Sequence, residues 1–328
     1  MTIPSIGDLG FLSDCHTAAL VDREACVQWW CPPRFDAGSV FGRLLGPGAG
    51  HWSLQPTAPF EAERRYDDGT LVLRTTFTAE AGQVDVVDAL ALEPGARGHD
   101  IGRVSPQVLR RIEVVHGTVE LETVFAPRME YGLTVPHTAP VDGGVTAWGG
   151  PVRLTLRAPF PLDAEVGGAR GRVTVVAGER VELAARFTEA RADASAPPEV
   201  TVDDTLEAWR SWSSLHQDYG GEHAEAVRRS ALVVQGLTRS ICVDPRDTPV
   251  ARGADVHLAL RPGTNLALLN GLLHELIARD AIDHADVARH TVGYDDLGVL
   301  AGPARAPGRG AERVGGDARS RRAPARPR

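Results

Sequence analysis

From about residue 70 to residue 187 the chain sets apolar against polar positions in short runs. TLVLRTTF at 70–77 alternates in part and is rich in β-branched residues, and RVELAARF at 180–187 alternates again. VDVVDALAL at 84–92, and shorter runs at 111–115, 119–125, 152–156 and 172–176, belong to the same pattern. Turn-forming residues separate them: Asp67-Asp68-Gly69, Gly82, Pro94-Gly95, Asp142-Gly143-Gly144, Gly167-Gly168 and Ala177-Gly178. Many short strands at close spacing predict a mainly β fold, an antiparallel β-sandwich over residues 1–200. No helical period competes in this stretch.

The pattern changes after Pro197-Pro198, which reads as a linker. Asp203 or Asp204 is placed to cap a helix, and Leu206, Trp209, Trp212 and Leu215 follow every third residue. Gly220-Gly221 breaks the chain. A second helix is expected from Glu222, with Ala226, Val227, Ser230, Ala231, Val234 and Leu237 on its mostly apolar face. A seam lies near Thr238. Beyond it, residues 239–300 predict a small α/β segment with a helix over 266–279. From about Gly302 the chain is rich in Arg, Pro, Gly and Ala and nearly free of large apolar residues, so 301–328 reads as a disordered tail. Such composition is also what a shifted reading frame in GC-rich DNA produces.

Composition narrows the partners. The 328 residues carry a formal charge of −8 and are 43% hydrophobic, which suits a core and argues against nucleic acid as a general ligand. The N-terminus lacks a basic stretch followed by an apolar one, so no signal peptide is expected, and no apolar run is long enough for a membrane span. The four cysteines, Cys15, Cys26, Cys31 and Cys242, make no disulfide framework. Cys26 and Cys31 have loose spacing and no second ligand pair, so they read as buried thiols rather than metal ligands. No metal or cofactor is expected, and the expected compartment is cytoplasmic.

The N-terminal segment carries the sharpest local signature. It runs Ile6-Gly7-Asp8, then Asp14-Cys15-His16-Thr17-Ala18-Ala19-Leu20-Val21, then Gln28-Trp29-Trp30-Cys31-Pro32-Pro33-Arg34-Phe35-Asp36 and Ser39-Val40-Phe41. His51-Trp52, Arg65-Tyr66, Thr70-Leu71, Trp209-Arg210 with Trp212, and Arg228 to Leu232 continue it. Over about residues 5–238 this resembles the opening of bacterial glycoside hydrolase family 15 proteins, the glucoamylase and trehalase group. The chain departs from the family's usual pattern at Gln28, where an aspartate is usual, at Trp30, where leucine is usual, and at Pro33. If that aspartate orients a sugar or the neighbouring loop, Gln28 weakens the role.

The resemblance implies a β-sandwich followed by an α/α barrel, with α-glucosides as substrates. Residues 201–238 then correspond to the start of a truncated barrel. In the family the two catalytic carboxylates lie in that barrel, far downstream. Glycoside hydrolysis by inversion needs such a pair roughly 6.5–9.5 Å apart. The motifs that carry the pair are absent here, so no catalytic residue is assigned and the chain is expected to be inactive. Glu120, Glu122 and Glu130 read as solvated surface groups. Arg34 and Asp36 are the candidates for facing a carbohydrate, since a polar pair among aromatic residues suits a sugar. The alternative is a structural pair bracing its loop.

Past the seam, Val243-Asp244-Pro245-Arg246-Asp247-Thr248 leads to Arg261-Pro262-Gly263-Thr264-Asn265 and on to Asp295-Asp296-Leu297. Over about residues 240–298 this resembles molybdopterin oxidoreductases of the formate dehydrogenase and nitrate reductase type. By that resemblance, Asp244, Arg246, Thr248, Gly263, Thr264 and Asn265 are vestiges of a site for the guanine-nucleotide part of the cofactor. Asp244 at a strand's end, and Gly263 and Thr264 near a helix start, are suited to such contacts. The molybdenum ligand and iron–sulfur cysteines are missing, so retained binding is not expected. Three functions stay open: a truncated glycosidase relative whose sandwich is a candidate for carbohydrate binding, an oxidoreductase remnant, and a chimeric product with no selected function.

Overall fold

The computed structural model describes residues 4–189, 199–215, 220–238, 241–243 and 256–259. The chain divides into two compact units, residues 1–238 and 239–328. Fifteen strands of the first unit are described: β1 (Gly10–Ser13), β2 (Ala18–Val21), β3 (Val27–Trp30), β4 (Phe41–Gly42), β5 (His51–Pro56), β6 (Phe60–Tyr66), β7 (Leu73–Ala79), β8 (Gly82–Leu92), β9 (Val104–Ala126), β10 (His137–Val141), β11 (Gly144–Gly149), β12 (Val152–Arg157), β13 (Asp163–Glu165), β14 (Gly168–Val176) and β15 (Arg180–Glu189). Two helices follow, α1 (Val202–Ser213) and α2 (Ala224–Leu237).

The fold is the mainly β, antiparallel architecture expected from the alternation, and its organiser is β9. The first half of this strand pairs with β8 and β15, and the second half pairs with β5 and β14. One sheet therefore runs β1-β2-β3-β5-β9-β14-β13, with β4 also pairing β3, and the other β6-β7-β8-β9-β15-β12-β11-β10, with β9 common to both. The sequence predicts two strands here, 111–115 and 119–125. The strand stays continuous because it turns the corner at Gly117, whose φ is +77°. A Cβ at Gly117 would lie 2.1 Å from the Ala81 carbonyl oxygen, so only glycine fits this crossing.

Between the sheets lies one core, with Trp30, Phe41, Trp52 and Phe125 from the first sheet against Phe77, Val86, Ile112 and Leu183 from the second. Asp88 and Arg110 are buried with it, joined at 2.8 and 3.1 Å. Arg110 also donates to the carbonyls of Trp52 and Ala25, and its guanidinium lies 4.8 Å from the centre of the Trp52 ring.

The second sheet is covered on its other face too. Val87, Ala89 and Ala91 of β8 meet Leu206, Trp209 and Trp212 of α1. This explains why β8 reads as a nearly continuous apolar run rather than a strict alternation. Each large apolar side chain removed from water there stabilises the contact by about 1.5–3 kcal/mol. The predicted caps, Asp203 and Asp204, give way to Thr201, two or three positions earlier. Thr201 has the extended backbone of a cap and accepts from the Asp204 amide at 3.2 Å, while Asp204 accepts from the Thr201 amide at 2.9 Å. Asp203 instead pairs with Arg111 at 2.6 Å.

Helix α2 also faces differently from its pattern. Leu232 and Gly236 are its buried residues, while Val227, Val234 and Leu237 of the expected inner face are about half exposed or more. Gly236 lets the helix sit against Phe11, Ser13 and Leu71, where a Cβ would come within 2.8 Å of Leu71. Arg229 fixes the rotation by donating to the Thr70 carbonyl at 2.7 Å and lying 4.0 Å from the centre of the Tyr66 ring.

In the second unit, β16 (Ile241–Val243) pairs in parallel with β17 (Val256–Leu258). Asp244, Arg246, Thr248, Gly263, Thr264 and Asn265 lie outside the described residues, as do the expected helix at 266–279 and the tail.

Candidate functional site

Three loops meet at one end of the sandwich. They are the turn between β1 and β2 (residues 14–17), the loop between β3 and β4 (31–40) and the loop between β9 and β10 (127–136). Their backbones are tied together. Phe35 donates its amide to the His16 carbonyl at 3.1 Å, and Thr17 Oγ1 donates to the Cys31 carbonyl at 2.8 Å. Arg128 donates to the Val40 carbonyl at 2.9 Å, and the Tyr131 hydroxyl donates to the Ala37 carbonyl at 3.0 Å.

The 127–136 loop has an unusual backbone. Glu130 and Tyr131 both take left-handed φ values, 52° and 60°, and Gly132 follows at 92°. Such conformations are held by surrounding structure and gather at binding sites. Here the turn swings Tyr131 towards Trp29, with ring centres 6.2 Å apart and planes tilted by 37°. The Glu130 carboxylate lies beside Gly38, where a Cβ would come within 2.9 Å of it.

Arg34 and Asp36 project from the middle loop as a bidentate pair, at 3.1 Å (Nε to Oδ1) and 3.2 Å (NH2 to Oδ2). Their side chains remain 56% and 57% exposed. An ion pair so wet contributes little to stability, about 0–1 kcal/mol. The loop is held instead through its backbone, by the His16 carbonyl and the Thr17 and Tyr131 hydroxyls. The pair is thus an accessible, planar array of donors and acceptors on the loop whose Ala37 carbonyl Tyr131 holds, suited to bidentate contacts with hydroxyls.

Behind this end sits Asp14, fully buried. Its Oδ1 accepts from the amides of His16 and Thr17 at 2.9 and 2.7 Å. Its Oδ2 has no partner among the described residues. Burial raises its carboxyl to about 6, against the pull of those amides and of His16. The thiols Cys15, Cys26 and Cys31 are buried and form no disulfide, and burial pushes Cys26 to about 12 and Cys31 to about 11. Both are therefore inert as thiolates at neutral pH. Among the described residues no group of three or more His, Cys, Asp or Glu side chains is placed to hold a metal ion. No helix there is long and apolar enough to cross a membrane.

Of the acids read as solvated, Glu120 accepts from Thr57 at 2.7 Å and Glu122 pairs with Arg172 at 2.9 Å. The structure brings Arg34 and Asp36 together as the spacing suggested. It adds Trp29, Glu130 and Tyr131, which sequence reasoning did not select. Glu130 and Tyr131 are almost a hundred positions from Arg34, and their only local signal is the glycine that follows them.

The family model for the trehalase-like N-terminal region matches residues 2–209. The trehalase of Mycolicibacterium smegmatis is 34% identical over 264 residues, covering 72% of this chain and 38% of that enzyme. The trehalase of Mycobacterium tuberculosis is 32% identical over 268 residues, with the same two shares. The alpha subunit of an F420-dependent formate dehydrogenase from Methanococcus maripaludis is 38% identical over 76 residues, 23% of this chain and 11% of that subunit. The chain thus spans well under half the length of the trehalases it matches.

Proposed function

This chain belongs to the trehalase-like N-terminal family, and from that premise we propose that its sandwich is the β-domain of a glycoside hydrolase family 15 enzyme of the glucoamylase and trehalase group. In this reading the loop end faces an α-glucoside, with Arg34 and Asp36 contacting its hydroxyls. The carrying observation is that pair itself: bidentate, more than half exposed, and on a loop that Tyr131 braces beside Trp29. A cytoplasmic setting, in keeping with buried cysteines outside any disulfide, belongs to the same reading.

The sequence by itself does not hydrolyse glucosides in this reading, because hydrolysis needs two cooperating carboxylates. Asp67, Asp85 and Glu113 do converge, but around Arg74, at 2.9, 2.9 and 2.5 Å. Their oxygens are engaged by that guanidinium and by Thr76, Arg111 and Arg180. Purified protein incubated with trehalose, maltose and starch is expected to release no glucose, and sustained release overturns this part of the proposal. Trehalose affinity is expected to fall when Arg34 or Asp36 is replaced by alanine.

The similarity to a formate dehydrogenase subunit favours a second reading for the residues past the seam. There 240–298 is an oxidoreductase fragment, and Asp244, Arg246, Thr248, Gly263, Thr264 and Asn265 are remnants of a nucleotide site. Joined to the sandwich, it makes the chain a chimera. Sequencing the genomic locus across codons 230–250 tests this: an uninterrupted barrel-coding frame refutes the fusion.

A further inference from the structure

A second concave region lies on the outer face of the first sheet and shares no residue with the loop end. Strand β5 creates it by strict alternation. Trp52 and Leu54 point into the core, which leaves His51, Ser53 and Gln55 on the outside. Ser53 sits beside Val124 of β9, and Val124 beside Arg170 of β14. With Gln28 of β3 these side chains form the floor of a groove of about 640 Å³, walled by the 22–26 turn and the segment from Arg43 to Pro47. That volume falls in the range of small-molecule sites.

Three observations describe what fits. Gln28 is 3% exposed, and its Nε2 donates to Asp22 Oδ2 at 2.6 Å. That bond fixes the amide's orientation and leaves Oε1, a buried acceptor, with no partner among the described residues. An orphaned buried acceptor costs about 1–3 kcal/mol, which a ligand's donor recovers. Next, His51 is held neutral at physiological pH: burial, with Arg43, Arg128 and Arg170 nearby, lowers it to about 4. A neutral imidazole offers one donor and one acceptor. Finally, the formal charges of the lining cancel, with Asp8, Asp22 and Glu24 against Arg23, Arg43 and Arg170. Several are satisfied locally: Arg23 pairs with Asp8 at 2.7 Å and Arg170 with Glu165 at 3.1 Å.

We propose that this groove binds a neutral, polyhydroxylated small molecule the size of one or two hexose units. Gln28 Oε1 accepts from one hydroxyl, and His51 and Ser53 exchange hydrogen bonds with others. An inorganic anion is disfavoured by the carboxylates on the same wall, and an apolar ligand by the polar floor. The proposal does not depend on Arg34 and Asp36.

The test is calorimetric titration of the full chain with glucose, with trehalose and separately with inorganic phosphate. Wild-type protein is expected to bind one of the sugars saturably, and R34A, weakened at the loop end, is expected to retain the saturable component that belongs to the groove. Gln28→Met keeps the side-chain length and removes the acceptor, so affinity is expected to fall about tenfold, the effect of one hydrogen bond of about 1.4 kcal/mol. Ser53→Val, at an outward strand position, serves if the first variant fails to fold, and the same direction is expected. Absence of saturable sugar binding by wild type, or phosphate binding in its place, overturns the proposal. So does sugar affinity that survives Q28M and S53V but is lost in R34A. That last result leaves the reading of Arg34 and Asp36 standing.

Discussion

Asp88–Arg110 and Arg34–Asp36 join the same two side chains through the same pair of bonds, one inside the sandwich and the other on its loop end. The inner pair is wholly inaccessible, and Arg110 spends its remaining donors on backbone carbonyls. The outer pair is more than half exposed and makes no bond that its loop requires. Identical chemistry thus serves architecture in one place and accessibility in the other. What separates them is water: burial makes an unpaired partner intolerable, whereas solvent makes the outer pair nearly neutral in energy and free to exchange for a ligand.

The contrast can be broken most directly at Arg110. Arg110→Leu strands the Asp88 carboxylate in the core and is expected to lower unfolding free energy by about 3–5 kcal/mol, read by urea denaturation. A loss below about 1 kcal/mol would remove the architectural role.

Asp14 sharpens the comparison, because it is a buried carboxyl without a guanidinium. Its pKa is about 6 in the folded state against 3.8 for the reference group. The folded protein therefore binds more protons than the unfolded chain between those values, and stability falls as pH rises through the window. The penalty is absent below about pH 4 and reaches about 3 kcal/mol above pH 6. Asp14→Asn removes it, so the variant is expected to gain on the wild type at pH 7 and to lose that gain at pH 4. Parallel melting profiles at the two pH values would refute the shift.

Smaller effects come from the periphery. Thr201→Ala takes away one half of the capping box of α1 and is expected to cost about 1 kcal/mol in thermal unfolding. Arg34→Ala is expected to change stability by less than about 0.5 kcal/mol while weakening trehalose binding. A large stability loss there would turn the outer pair into a brace for its loop.

How much of this is legible in the sequence follows from the range of each interaction. β7, β8, β12 and β15 appear as apolar runs at nearly their observed positions, since strand alternation is a local property. Leu206, Trp209 and Trp212 mark the buried side of α1 for the same reason. The continuity of β9 is hidden, because HGT at 116–118 looks like a turn and functions as a corner only through the crossing of Gly82 and Ala81. The rotation of α2 is hidden as well: Val227, Val234 and Leu237 outweigh Gly236 in any apolar count, yet close approach by glycine decides the contact. At the loop end, Arg34 and Asp36 stand out as neighbours. Trp29, Glu130 and Tyr131 join them through folding alone. The groove's floor needs four strands in register, and nothing in the order of Gln28, His51, Ser53 and Arg170 announces it.

The shared strand has a consequence for how the domain is made. Two of the neighbours of β9, β5 and β8, precede it in the chain, and two, β14 and β15, come afterwards. A chain emerging from the ribosome as far as residue 126 therefore carries β9 with one edge matched and the other bare along its whole length. Both sheets stay open on that edge until residues 168–189 arrive, and bare edges invite pairing with other chains. The hazard to this domain's yield is thus concentrated in the synthesis of residues 127–189, and slower translation there would lengthen it.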